Sequence, residues 1–331
     1  MRSFLAHNPS LILVIFIVTF ILVGHYCFDL YPNTRHQTLN TRYQTLNTKH
    51  QTLLVNRYAQ LGIHGDALGT ISALTLGYKG NLNKEVIGDF RRSGAAHILA
   101  VSGLHTGIIY AILLYLLTCF KKRVPLYEER FKRCLISSVC IVCLWAYAYL
   151  TGMTPSVVRS VIMFSLAEVA HMLYRERFSL NVVFFSAAII LAFRPTDLFS
   201  VSFQLSYAAV IAIVLASPLF SFPALYKIRP RALAKTVHYV YGLVTVSLAA
   251  QLGTLPITLL VFHQMSNYFL LTNMIVIPLA SLLVPLGFAT LVFGGVPYFG
   301  DALVWCLQNG TDLLMFAVNW VQSLPGAFVQ I

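Results

Sequence analysis

HILAVSGLHTGIIYAILLYLL, residues 97–117, places His97, Ser102, Gly103 and His105 at the head of a run that then becomes unbroken hydrocarbon. A helix crossing a bilayer needs about 20 mostly apolar residues in succession, and the second part of this stretch supplies most of them, so a spanning helix is expected over 96–120. The whole chain is built in the same way. Of its 331 residues 58% are hydrophobic and 10% charged, with a mean hydropathy of +0.74, whereas a soluble domain is about one quarter charged. One long apolar run lies near the N-terminus, and about eight more fall between Ala95 and Ser323. The expected fold is all-α: a polytopic transmembrane helical bundle of about nine spans, some short or broken.

Three segments follow from the pattern. The run Pro9–Phe28 comes after Arg2, exceeds the roughly 7–15 apolar residues of a signal peptide, and is not followed by an A-x-A-like cleavage site. Residues 1–28 are therefore expected to be an uncleaved N-terminal transmembrane helix. Residues 29–60 are expected to be an extracytoplasmic linker, and residues 61–331 the multi-pass domain. The linker carries RHQTLNT, RYQTLNT and KHQTLLV in tandem from Arg35 to Val55. Leu39, Leu46 and Leu53 recur once per repeat, whereas a coiled coil wants two apolar positions per heptad. A duplicated spacer is expected. Within the multi-pass domain, KEVIGDFRRS at 84–93 sets Val86, Ile87 and Phe90 on one helical side, the pattern of a short interfacial helix.

Six cysteines have no framework spacing, and Cys140 and Cys143 lie inside an apolar run. No disulfide, metal site or cofactor is expected.

The formal charge is +12, and no Lys or Arg occurs from Thr236 to Ile331. Basic loops at 121–133, 175–177 and 221–235 are separated by pairs of apolar runs, so all three fall on one side. The positive-inside rule makes that side cytoplasmic. The N-terminus is then cytoplasmic and residues 29–95 extracytoplasmic.

Polar residues inside the spans carry the functional signal, since ionisable groups there usually face a protein interior or an aqueous path. The run 156–174 holds Arg159, Glu168 and His171. At 100° per residue Arg159 lies about 180° from Glu168, and Glu168 about 60° from His171. An interfacial ion pair of Glu168 with Arg175 is one reading, a functional role the other. The run 201–219 opens with Phe203, Gln204, Ser206 and Tyr207. Run 236–262 is expected to break near Gln251, Gly253 and Pro256, and run 268–293 contains Asn273, Pro278 and Pro285. Neutral hydrogen-bonding groups with few acids near them suit a polyanion better than a cation.

These motifs resemble the competence domain of ComEC-type DNA uptake proteins. The similarity lies in FRRSGAAHILAVSGLHTGII (90–109), GMTPSVVRSVIMFSLAEVAHMLYR (152–175), RPTDLFSVSFQLSYAAVIAI (194–213) and AAQLGTLPITLLVFHQMSNYFLLTNMIVIPL (249–279). The resemblance implies an inner-membrane channel that translocates single-stranded transforming DNA into the cytoplasm. It marks His97, Ser102, Gly103, His105, Arg159, Phe203, Gln204, Ser206, Gln251, Pro256 and Asn273 as motif residues. Glu168 joins them as a candidate for the DNA path, with no catalytic residue among them. Members of the family resemble a three-part protein with an OB-like and a metallo-β-lactamase-like domain. No H-x-H-x-D-H metal signature occurs here, so no nuclease activity is expected. The expectation is a minimal channel, a partner of separate receptor, nuclease and motor proteins, or a truncated, non-functional copy; a homo-oligomer is compatible with each. A secondary transporter of a small anionic or polar solute would need an inverted repeat, which is not evident. An intramembrane hydrolase using Ser102 with His97 or His105 would need an acid to orient the base, and this span has none.

Overall fold

The computed structural model describes residues 49–99, 101–119, 126–177, 179–220, 231–326 and 328–330. The expected first helix and most of the heptad repeat lie outside these residues. The described chain is helical almost throughout. A helix over residues 49–60 (α1) is followed by α2 (Gly65–Leu76), α3 (Lys84–Arg92), α4 (Gly103–Cys119) and α5 (Leu126–Leu150). Then come α6 (Pro155–Met172), α7 (Leu180–Phe193), α8 (Val201–Ala216), α9 (Arg231–Phe262), α10 (Phe269–Phe293) and α11 (Phe299–Gln322). One small antiparallel pair of strands interrupts the helical plan. β1 (Gln264–Ser266) pairs with β2 (Phe328–Gln330), Gln264 opposite Gln330 and Ser266 opposite Phe328.

Among the described residues, three segments are long and apolar enough to cross a membrane: Phe131–Leu150, Ala234–Phe262 and Phe269–Phe293. Helices α4, α7 and α8 are apolar but shorter. Their outward sides are not those of a soluble protein. Leu252, Leu260, Leu282 and Phe316 are each at least 68% exposed, and large apolar side chains facing outward in such number need lipid around them. The chain is a membrane protein.

Two sequence expectations fail, each for a physical reason. Helices α9 and α10 run unbroken through Pro256, Pro278 and Pro285, because a proline removes one intrahelical donor and neighbouring groups in a membrane bundle compensate for it. The helix expected to begin near residue 96 starts instead at Gly103. Before it, the described residues of the loop 94–102 are non-helical and bury Ile98, Leu99 and Val101.

The core has three parts. Helices α1–α3 pack with α10 and α11 around Tyr58, Ile71, Leu74, Phe90, Leu307 and Leu314. Helices α4, α5 and α6 share Tyr110, Leu144, Tyr147, Val157 and Val161. Helices α7 and α8 share Ala187, Ile190, Phe203 and Tyr207 with Ile162 and Met163 of α6. The described part of the spacer is thus core: α1 buries Val55 and Tyr58, while its repeat residue Leu53 points outward. The Tyr58 hydroxyl donates to Thr75 Oγ1 at 3.3 Å, and burial pushes its phenol above the ordinary range, keeping it a neutral donor.

Helix α2 has nine buried residues in twelve. At 1.5 Å per residue it is about 18 Å long, too short to span a bilayer. Helix α3 lies where the amphipathic pattern puts it, capped by Asn83, whose Oδ1 accepts from the Glu85 amide at 3.3 Å. Its buried side, Val86 and Phe90, meets protein rather than lipid.

Helices α8 and α9 approach closely at Gly253. A Cβ there would sit 2.6 Å from Ala212 Cβ and 2.7 Å from the Ala208 carbonyl oxygen. Gly253→Val should therefore lower stability by about 1–3 kcal/mol, read as thermal unfolding in detergent. At Gly88, in the interior of α3, a Cβ would meet nothing within 4 Å. Gly88→Ala should instead be neutral or raise stability by about 0.5–1 kcal/mol.

Candidate functional site

Helix α6 carries two ionisable groups into the bundle, and the neighbouring helices are arranged around them. Nine residues separate Arg159 from Glu168, a half-turn in direction and about 14 Å along the axis. Arg159 faces α8, whereas Glu168 faces α4 and α5.

Arg159 is 3% exposed. Its Nη2 donates to the Ser202 carbonyl at 3.0 Å, to Ser202 Oγ at 2.7 Å and to Ser206 Oγ at 3.0 Å. Its Nε is buried with no partner among the described residues. These acceptors are all neutral, so they orient the guanidinium without cancelling its charge.

Beside it lies a cavity of about 290 Å³, lined by Gly77, Lys79 and Val101, by Thr154, Pro155 and Ser156 at the start of α6, and by Asp197, Ser200 and Ser202 at the start of α8. Helix α6 has no side-chain cap, and the buried hydroxyl of Thr154, its N-cap residue, has no partner among the described residues. Helix α8 is capped by Ser200, whose Oγ accepts from the Phe203 amide at 3.2 Å. The helix starts of α6 and α8 thus meet at one end of the bundle, where the partial positive charge of each dipole favours an anion. The loop 94–102 reaches the same end through Val101.

On the opposite side of α6, the fully buried Glu168 accepts from the Tyr110 hydroxyl and, at 2.5 Å, from Ser137 Oγ. Its ion-pair partner is Arg177, at 3.4 Å, and not Arg175. After α6 ends, the backbone turns back on itself at Tyr174, whose φ is 57°, and it is Arg177 that then reaches the buried carboxylate. Tyr110, Ser137 and Arg177 were not candidates in the sequence, because each sits on a separate segment with nothing local to mark it.

Ser102 and His105 do meet, but as a helix start. Ser102 is the N-cap of α4: its carbonyl accepts from the Thr106 amide at 3.2 Å. Its own amide donates to His105 Nδ1 at 3.2 Å, and its Oγ lies 3.1 Å from the same nitrogen. This is one half of a capping box, the N3 side chain reaching back to the N-cap amide, with histidine in place of the usual Glu or Gln. With Nδ1 accepting from the amide, the proton of the neutral ring sits on Nε2, which is buried without a partner among the described residues. No carboxylate orients the ring, so the third member of a hydrolytic triad is lacking among the described residues. Gly103 lets α4 approach α6; a Cβ there would meet Ser160 Oγ at 3.0 Å.

The remaining motif residues are dispersed. His97 is exposed and donates from Nδ1 to the Gly94 carbonyl at 3.2 Å. Gln204 donates to the Leu198 carbonyl at 3.0 Å, and Phe203 stacks on Tyr207 with ring centroids 4.4 Å apart. Gln251 is half-buried on α9, Pro256 is exposed, and Asn273 Oδ1 on α10 is buried without a partner among the described residues. Among the described residues no three His, Cys, Asp or Glu side chains gather to hold a metal ion.

Known proteins share this sequence pattern. Residues 74–331 match the family described as Competence protein. The chain is 33% identical to ComE operon protein 3 of Bacillus subtilis over 214 residues, covering 64% of this chain and 25% of that one. It is 26% identical to Recombination protein 2 of Haemophilus influenzae over 259 residues, 76% of this chain and 32% of the relative. It is 29% identical to Competence protein ComA of Neisseria gonorrhoeae over 152 residues, 46% of this chain and 22% of the relative. The chain thus spans between about a fifth and a third of the length of these relatives. No solved structure matches it.

Tyr110→Phe removes one of the donors that solvate the buried Glu168 carboxylate. It should cost about 1.5–3 kcal/mol, the usual range for a hydrogen bond to a charged group, measured as a loss of thermal stability in detergent.

Proposed function

The chain belongs to the competence protein family, and on that premise we propose that it forms a multi-pass channel carrying one strand of transforming DNA across the bacterial inner membrane. The observation that carries this reading is the end of the bundle where α6 and α8 begin. There a buried guanidinium, hydroxyl groups and helix N-termini face a cavity inside an otherwise apolar assembly. A cation retained at such cost marks a path or site for an anion, and the family supplies an anion to move.

In this reading the bundle has about nine spans, with the first helix at residues 1–28. The basic loops 121–133, 175–177 and 221–235 face the cytoplasm. The cavity end, 29–95 and the loop 94–102 then face outward, as the mouth of the path. The Glu168 network sits toward the cytoplasmic end. Ser102 and His105 shape the mouth by starting α4, and no bond-breaking role is assigned to them. The partners are single-stranded DNA, the lipid bilayer, separate receptor, nuclease and cytoplasmic motor proteins, and, in a homo-oligomer, other copies of the chain. The motor supplies the driving energy, since the sequence has no G-x-x-x-x-G-K-[ST] phosphate loop.

Deleting the gene should abolish entry of fluorescently labelled DNA into the cytosol while leaving its capture at the cell surface intact, scored by microscopy and by recovery of transformants. Unchanged entry would remove the channel assignment.

A further inference from the structure

The cavity at the start of α6 has the chemistry of a seat for one phosphate group. We propose that Arg159, Thr154 and the first amides of α6 together bind a single phosphodiester of the incoming strand; the proposal rests on the DNA-channel reading.

Three features converge, the last two linked because Thr154 is the N-cap residue of α6. Arg159 is nearly fully buried, lines the cavity and has an Nε without a partner among the described residues. Its three bonds to Ser202 and Ser206 hold it in place, so little side-chain entropy is lost when an oxygen arrives. The hydroxyl of Thr154 is also buried without a partner among the described residues. Thr154 lines the same cavity. Finally, α6 is an 18-residue helix that begins there with Pro155 and no side-chain cap. Its first amide donors, from Ser156 onward, are those that a helix ordinarily offers to a cap or an anion.

The charges facing the cavity are Lys79 and Arg159, opposed by Asp197. One net positive charge, supplemented by the helix dipole, suits a monoanion such as a phosphodiester. A volume of about 290 Å³ lies just below the roughly 300–1,000 Å³ of drug-sized ligand sites. It admits one nucleotide-sized group and not a duplex. Lys79 and Ser202, which also line it, are exposed, so the seat is open at the surface rather than sealed inside the bundle.

The same chemistry would accept a lipid headgroup phosphate, and the experiment separates the two. The full chain in nanodiscs of zwitterionic lipid is titrated with fluorescent oligo-dT, and binding is read by anisotropy over a salt series. Arg159→Gln should weaken binding at least about tenfold and reduce the slope of log K against log salt by about 0.7, the loss of one phosphate contact on a single strand. Thr154→Val breaks no bond seen in the protein, so a structural role predicts no change; binding should instead fall severalfold, with thermal stability unaltered. Inorganic phosphate should displace the oligonucleotide from wild type better than chloride does at equal ionic strength.

Wild-type affinity and slope in both variants would overturn the proposal. If Arg159→Gln fails to insert, Thr154→Val and the phosphate competition decide alone. If anionic lipid displaces oligo-dT from wild type while inorganic phosphate does not, the seat belongs to lipid and the DNA assignment falls. Failure of the channel reading looks different: oligo-dT binding would keep its dependence on Arg159 while gene deletion left DNA entry unchanged.

Discussion

An arginine and a glutamate buried on one largely apolar helix must each be solvated by protein or ligand, because the apolar side chains packed around them offer neither donors nor acceptors. That requirement organises the centre of this molecule. Helix α6 turns Arg159 to one side and Glu168 to the other, so the helices that flank it cannot be interchangeable. Helix α8 brings Ser202 and Ser206 to the guanidinium, and α4 and α5 bring Tyr110 and Ser137 to the carboxylate. The two ends are satisfied unequally. Glu168 has two hydroxyl donors and a counter-charge, which makes it a finished structural unit. Arg159 has acceptors but no carboxylate within ion-pair distance among the described residues, which leaves it available.

Much of this centre is legible in the sequence. The half-turn between Arg159 and Glu168 follows from helical periodicity alone, and the amphipathic pattern of 84–93 locates α3 to within a residue. Apolar composition identifies the membrane class. What cannot be read locally is tertiary. Arg177 displaces Arg175 as the partner of Glu168 because of a backbone turn after α6. Tyr110 and Ser137 become important only through helix packing. Ser102 and His105 share a helical face in either register, yet capping geometry decides that they start α4 rather than lie within a helix begun at 96.

The silence of the sequence about α2 and the false breaks at the prolines have separate physical origins. Helix α2 is short and buried on nearly every side, Thr70, Ser72 and Thr75 included, so it has neither the length of a span nor the period of a surface helix. Its burial depends on close approach at positions such as Gly69, where a Cβ would lie 2.4 Å from the Asn81 carbonyl oxygen. Prolines in α9 and α10 look like breaks because their cost in water is high. In a bundle, one missing donor among a long series of intact helical bonds leaves the helix continuous.

The carbonyl of Ser93, at the end of α3, accepts from Thr272 Oγ1 at 2.6 Å and from Ser266 Oγ at 3.2 Å. Its donors are supplied 179 and 173 residues later in the chain. During synthesis, which proceeds from the N-terminus, the entrance to the loop 94–102 therefore stays unfastened until α10 has emerged. The pairing of β1 with β2 comes later still, since β2 lies at Phe328–Gln330. The start of the loop 94–102 is consequently among the last parts of the protein to be fastened, and ribosome transit time, rather than local helix propensity, sets when that can first happen.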